Sequence, residues 1–154
     1  MKAQIINRSE QLKGFVDNYF SNTKYTIKPI VGDAGLRDYF RVSTIDESYI
    51  VMDCPPCYTS IKPFIEITNF LIENGFSAPK IIKSDTDNCF LILQDLCKLS
   101  VKNYLINDNS TKQDIYHLSI DLLINLQNIE PPKNLKTFDN TLLASELSIF
   151  TDYY

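Results

Sequence analysis

Short runs of apolar residues separated by polar turns occupy the first part of the chain, and they predict a β-meander interrupted by helices. A helix is predicted before the first strand, with Ser9 as its N-cap and apolar residues recurring at helical spacing after it. A second helix is predicted from Pro63 to Glu73, because proline suits a first turn and Gly75 follows the end. The predicted strands, rich in β-branched and aromatic residues, are Tyr25–Val31, Asp38–Ser43, Ser48–Met52, Lys80–Lys83 and Cys89–Leu93.

After Asp95 the pattern predicts helices only. The first is short, over 100–106, and the last begins near Asn140 and continues to Tyr154. Between them a long amphipathic helix is predicted over 112–128. Its apolar stripe consists of Ile115, Leu118, Leu122 and Leu126. Strands first and helices later predict an α+β fold.

Composition excludes several classes of function. The chain has 154 residues, 44% of them hydrophobic and 22% charged, which is ordinary for a globular protein. A net charge of −4 without a cluster of Lys and Arg argues against a nucleic-acid partner. No apolar run approaches the ~20 residues that span a bilayer, so we expect no membrane partner. Four cysteines without an export signal predict reduced thiols and a cytoplasmic location.

A glycine turn, Gly32-Asp33-Ala34-Gly35, connects the first two predicted strands. Small residues let the backbone approach a ligand closely, and in a kinase N-lobe a turn at this place covers the nucleotide phosphates with backbone N–H groups. The alternative is a plain hairpin loop. Arg37 and Arg41 follow on one strand face, where they suit either a phosphate contact or a salt bridge.

The segments VGDAGLRDYFRV, VMDCPP, ENGFSAPKII, FLILQDL and FDNTLLASELSIFTDYY occur in this order from about Ile30 to the last residue. They resemble successive blocks of the aminoglycoside-phosphotransferase-like family, and within it the bacterial sugar kinases that phosphorylate the anomeric hydroxyl of N-acetylmuramate and N-acetylglucosamine. The resemblance implies a protein-kinase-like fold. Residues 1–95 would form the nucleotide-binding N-lobe, a five-stranded antiparallel sheet plus one helix. Residues 96–154 would form the hinge and an incomplete helical C-lobe.

The same resemblance implies ATP as the ligand and assigns residues to it. The glycine turn would lie over the phosphates, a hinge of Gln94, Asp95 and Leu96 would meet the adenine edge, and Glu66 would be the helix glutamate. Met52 stands where kinases usually carry the lysine of the third strand. Another cation must then contact the phosphates, and Arg37 or Arg41 is the natural candidate. The implied nucleotide-binding set is Gly32, Asp33, Ala34, Gly35, Arg37, Arg41, Glu66, Gln94, Asp95 and Leu96.

No catalytic or metal-binding residue is predicted. Family members orient the acceptor hydroxyl and hold Mg²⁺ with an H-G-D-x-x-x-x-N loop and a later acidic strand, and neither motif occurs here. His117, the single histidine, lies within the predicted long helix. We therefore expect a phosphotransferase part that is inactive alone and uses Mg²⁺ only when the missing C-terminal half is supplied. Its expected partners are such a half or a second copy through exposed helices. The alternative is a non-catalytic nucleotide-binding or interaction remnant.

Cys54 and Cys57 support a third hypothesis, because C-x-x-C spacing occurs in redox motifs and zinc sites. A redox motif of this type leads into a helix, whereas this one follows an antiparallel strand. Zinc needs a second pair, but Cys89 and Cys97 are eight residues apart.

Overall fold

The computed structural model describes residues 2–31, 35–55, 61–96, 100–107, 112–135 and 137–153. The chain divides into two compact units, Met1–Asn109 and Ser110–Tyr154.

Among its described residues, the first unit contains a five-stranded antiparallel sheet and three helices. Its strands lie in the spatial order β1-β2-β3-β5-β4, so β1 and β4 form the edges. The α+β class and the five-stranded sheet are therefore confirmed. The elements are α1 Lys2–Tyr19, β1 Thr26–Ile30, β2 Asp38–Ser43, β3 Ser48–Asp53, α2 Lys62–Glu73, β4 Ile81–Asp85, β5 Phe90–Gln94 and α3 Val101–Asn107.

Two helices cover opposite faces of this sheet, because its alternating side chains make both faces apolar. On one face, Leu12 and Val16 of α1 and Phe20 just after it form a buried cluster with residues that include Val51 and Ile92. The other face packs against α2. That second cluster contains Met52, Cys54, Ile61, Cys89, Leu91 and Leu93, with Phe64 and Ile65 beside them. The sheet is thus the middle layer of three.

The two helices differ from prediction in one respect. Pro63 stands in the first turn of α2, and Gly75 follows it with φ of +81°, so both predicted signals are confirmed. Ser9 does not cap α1, because that helix begins at Lys2. The residues before Ser9 include Ala, Gln and Arg, which favour helix, and they extend the helix by two turns.

The second unit contains two helices, α4 Lys112–Gln127 and α5 Asn140–Tyr153. Asp139 caps α5, since its Oδ1 accepts the N–H of Leu142 at 2.8 Å. No residue of α4 is buried, and the predicted stripe of Leu118, Leu122 and Leu126 is exposed. Both helices form as predicted, without any apolar core among their described side chains.

Candidate nucleotide site

The strand register shows which side chains share a face, because directly paired residues point the same way. Met52 is paired with Tyr39 and Leu91 on the face that α2 covers. Arg41 is paired with Ile50 on that same face, and Lys28 with Arg41. Towards the start of β1 and the end of β2 this face is polar. We call it the open face, and its members are Thr26, Lys28, Arg41 and Ser43.

A cavity of about 370 Å³ lies against the open face. Small-molecule sites have volumes of about 300–1,000 Å³, so the cavity is large enough for part of a nucleotide. One end reaches Ile30, where β1 leads into the glycine turn; the other reaches Ser43, which is paired with Ser48. The lining residues are Thr26, Lys28, Pro29, Ile30, Arg41 and Ser43.

Arg41 and Asp95, both predicted to contact the nucleotide, form an ion pair. The Arg41 Nε–H donates to Oδ2 of Asp95 at 2.7 Å, and Nη2–H donates to Oδ1 at 3.3 Å. Ser48 adds a third donor, its hydroxyl lying 2.8 Å from Oδ2. The Asp95 side chain is only 3% exposed, so these donors replace the water that a buried carboxylate loses. The pair ties the hinge to β2 and β3.

The glycine turn falls partly within the described residues. Gly32, Asp33 and Ala34 lie outside them. Gly35 has φ of +130°, a conformation that strains any residue with a Cβ. Two residues later, the guanidinium carbon of Arg37 lies 5.5 Å from the ring centroid of Phe64, a cation–π contact. This contact joins the end of the turn to α2.

By the resemblance, Met52 and Glu66 would take the positions where typical kinases form a lysine–glutamate ion pair. Met52 is fully buried in the cluster under α2. Glu66 lies on the exposed surface of α2. Since β3 offers a methionine in place of a lysine, these two positions do not form the ion pair.

Gln94 and Leu96 flank Asp95 in the predicted hinge. The Gln94 N–H donates to the carbonyl oxygen of Lys80 at 2.8 Å, and the Gln94 Oε1 accepts from the Lys80 N–H at 3.4 Å. Leu96 is 53% exposed. A groove of about 500 Å³ runs past Ser48, Gln94 and Asp95 at this end of the sheet. The backbone contact with adenine stays a prediction.

A second buried Arg–Asp pair lies on the opposite face of the sheet. Both Nε and Nη2 of Arg8 donate to Oδ1 of Asp53, and Nη1 donates to the carbonyl oxygen of Asn88 at 2.6 Å. The guanidinium also stacks on the ring of Phe90 at 3.9 Å. Burial raises the pKa of Asp53 above its ordinary value, although Arg8 opposes this shift. The pair fastens α1 to β3 and the β4–β5 turn, away from the cavity.

Three residues of these two arrangements were not predicted. Lys28 was detectable in principle, since alternation within β1 and its register with β2 place it beside Arg41. Ser48 and Arg8 had no local signal, because their partners are 47 and 45 residues away in sequence.

The thiols show no metal-site geometry within the described residues, where no three His, Cys, Asp or Glu side chains are grouped to hold a metal ion. Cys54 is buried, and its N–H donates to the carbonyl oxygen of Cys89 at 3.1 Å. Cys57 and Cys97 lie outside the described residues, so the redox hypothesis stays untested. In the same described part of the chain, no helix is long and apolar enough to cross a membrane.

The order of these elements defines a class of protein. The order is three antiparallel strands, a helix packed on the sheet, two more strands, a polar segment and then helices. This is the order of the N-lobe and first C-lobe helices of a protein-kinase-like fold.

The chain has relatives that are named as sugar kinases. It is 32% identical over 126 residues to the N-acetylmuramate/N-acetylglucosamine kinase of Pseudomonas aeruginosa, an alignment covering 82% of this chain and 37% of that protein. The kinases of the same name from Pseudomonas putida and Neisseria meningitidis are 31% and 22% identical, with 79% and 97% of this chain covered. The chain is therefore homologous to these sugar kinases, but it spans only 35–45% of their lengths. No protein-family model matches it.

Proposed function

We propose that the chain is the nucleotide-binding part of an ATP-dependent phosphotransferase acting on an amino sugar or a related alcohol. The carrying observation is the open face of the sheet. It lines a cavity that extends from Ile30, just before the glycine turn, to Ser43, in a chain homologous to kinases named for N-acetylmuramate and N-acetylglucosamine. Residues 1–95 act as the N-lobe, and residues 96–154 as the hinge and an incomplete C-lobe of the aminoglycoside-phosphotransferase type.

The base and the phosphates occupy opposite ends of this cavity. The hinge of Gln94, Asp95 and Leu96 meets the base, and the turn from Gly32 to Gly35 covers the phosphates with backbone N–H groups. Arg37 and Lys28 supply positive charge near the turn, since Met52 cannot. No ion pair of Lys28 is present within the described residues.

Phosphoryl transfer itself needs a second component. The aspartate that orients the acceptor hydroxyl and the ligands of Mg²⁺ belong to a loop and a strand that this sequence lacks. A C-terminal kinase half, in the same polypeptide or in another, supplies them by packing on the exposed helices α4 and α5. Binding of ATP by this chain alone then proceeds without turnover, in the cytoplasm.

Gly35→Asp tests the nucleotide site directly. The aspartate is strained at φ of +130° and places a negative charge where the phosphates bind, so we expect ATP binding, measured by calorimetry, to be lost. Gly75→Asp is the matched control, because Gly75 also has positive φ, +81°, but lies at the end of α2. Equal ATP binding by wild type and Gly35→Asp would contradict the proposal.

A non-catalytic nucleotide-binding module is the second candidate. The observation favouring it is that the buried Met52 replaces the lysine that contacts the phosphates in typical kinases. It predicts that ATP binds as above, while addition of a C-terminal kinase half produces neither a complex nor sugar phosphorylation.

A further inference from the structure

We propose that Arg41 and Ser48 are positioning residues, which hold Asp95 so that the hinge presents its backbone to the base. This inference rests on the proposed function and changes the expected role of Arg41. Its guanidinium acts through Asp95 on the base end of the site, and it does not contact the phosphates.

The geometry of the three side chains supports this role. Asp95 accepts hydrogen bonds from two different strands, from Arg41 on β2 and from Ser48 on β3. The nearly bidentate contact of a guanidinium with a carboxylate fixes direction as well as distance. Because the Asp95 side chain is 3% exposed, water cannot replace either donor unless this side chain first moves away from β2 and β3.

The position of Asp95 in the chain explains why such a clamp is needed. Gln94, the residue before it, is still in the sheet and is bonded to Lys80. Leu96, the residue after it, is exposed and outside β5. Asp95 is thus the residue at which the chain leaves the sheet. The hydrogen bonds of its side chain take the place of the backbone hydrogen bonds that end there. Freed from the clamp, the hinge backbone would sample other directions.

The negative charge of Asp95 argues against a phosphate contact for Arg41. A phosphate approaching its guanidinium would also approach the Asp95 carboxylate, whose Oδ2 lies 2.7 Å from Nε. Like charges at such separations repel each other. Lys28, opposite Arg41 on β1, has no such carboxylate against it among the described residues.

A double-mutant cycle tests the proposal on the 154-residue chain. The affinities of ATP and adenosine are measured for wild type, Arg41→Met, Asp95→Asn and the double variant. If Arg41 acts through Asp95, each single variant binds both ligands about tenfold more weakly than wild type. The double variant then binds them no more weakly than either single variant. If Arg41 contacts a phosphate, Arg41→Met weakens the binding of ATP but leaves the binding of adenosine unchanged, and the proposal is overturned.

Two further variants separate positioning from general loss of structure. Asp53→Asn breaks the buried Arg–Asp pair on the other face, and we expect it to change the melting temperature while both affinities stay within twofold of wild type. Ser48→Ala removes one donor with little risk to folding and should weaken both ligands by about two- to threefold. Equal affinity losses in Asp53→Asn would show that the effect of Arg41 is unspecific, and would refute the positioning role. Absence of ATP and adenosine binding in wild type would instead remove the proposed function.

Discussion

Supplying the part of a sugar kinase that this chain lacks should stabilise it strongly. The perturbation is the addition, as a separate polypeptide, of the part of the Pseudomonas aeruginosa relative that the chain does not match. The expected contact surface is the apolar side chains of α4 and α5. On α4 alone, seven large apolar side chains are 38–67% exposed.

The magnitude follows from this exposure. Burying a fully exposed Leu, Ile or Phe is worth about 1.5–3 kcal/mol, so a half-exposed one contributes about 1 kcal/mol. Seven such side chains on α4 offer about 7 kcal/mol before the costs of association, which are themselves several kcal/mol. Domains have total stabilities of about 5–15 kcal/mol, so even a part of this gain is measurable.

The assay combines thermal unfolding with size-exclusion chromatography of the mixture. We expect a 1:1 complex and a rise in the melting temperature of several degrees or more. The pair Leu118→Glu and Leu122→Glu is the matched control, because both side chains are exposed in this chain, at 67% and 60%, and their replacement costs it little alone. The reasoning is refuted if no complex forms, or if the charged variant gains as much stability as wild type.

Two smaller predictions concern the first unit. Phe20→Ala should destabilise it by about 3–5 kcal/mol in urea denaturation, because Phe20 is buried between α1 and the sheet and contacts the rings of Tyr25 and Tyr49; a loss under 1 kcal/mol would contradict the packing of α1. Asp85→Ala should cost about 0.5–1 kcal/mol at neutral pH, since Asp85 accepts two hydrogen bonds from Asn88 in a solvated turn. These bonds lower the pKa of Asp85, so its contribution is present above the ordinary Asp pKa and disappears as pH falls through the lowered value. If the difference in stability between wild type and Asp85→Ala increased as the pH falls, this assignment would be wrong.

Elements with strong local signals could be predicted closely from the sequence. The predicted bounds of β2 are those observed, and α2 begins one residue before its predicted start, because proline and glycine restrict the chain at its ends. The start of α1 failed because a serine that can cap a helix is also tolerated inside one. The packing of α1 on the sheet could not be predicted, since amphipathicity shows that a helix has an apolar face but does not identify its neighbour.

In the candidate site, too, features with a local sequence signal were predicted and contacts between distant residues were not. The glycine turn was predicted from its place between two strands and the hinge from the resemblance to known kinases, and both roles stay predictions. The pairing of Arg41 with Asp95 depends on two strands and a hinge meeting across 54 residues. The sequence allowed either a salt bridge or a phosphate contact for Arg41. Spacing along one strand determines the face on which a side chain lies, but it does not identify the side chain's partner on another element.

The buried methionine of β3 has a consequence for how α2 is held. In typical kinases the lysine–glutamate pair couples the position of this helix to the phosphates. Here Met52, Leu91 and Leu93 pack against α2 through an apolar cluster, and Arg37 reaches Phe64 from the turn. Apolar packing does not require a bound phosphate, so α2 keeps its place whether or not nucleotide is present. If nucleotide binds as proposed, its control of such a lobe would act on the turn and the hinge, where the polar contacts are, and not on the helix.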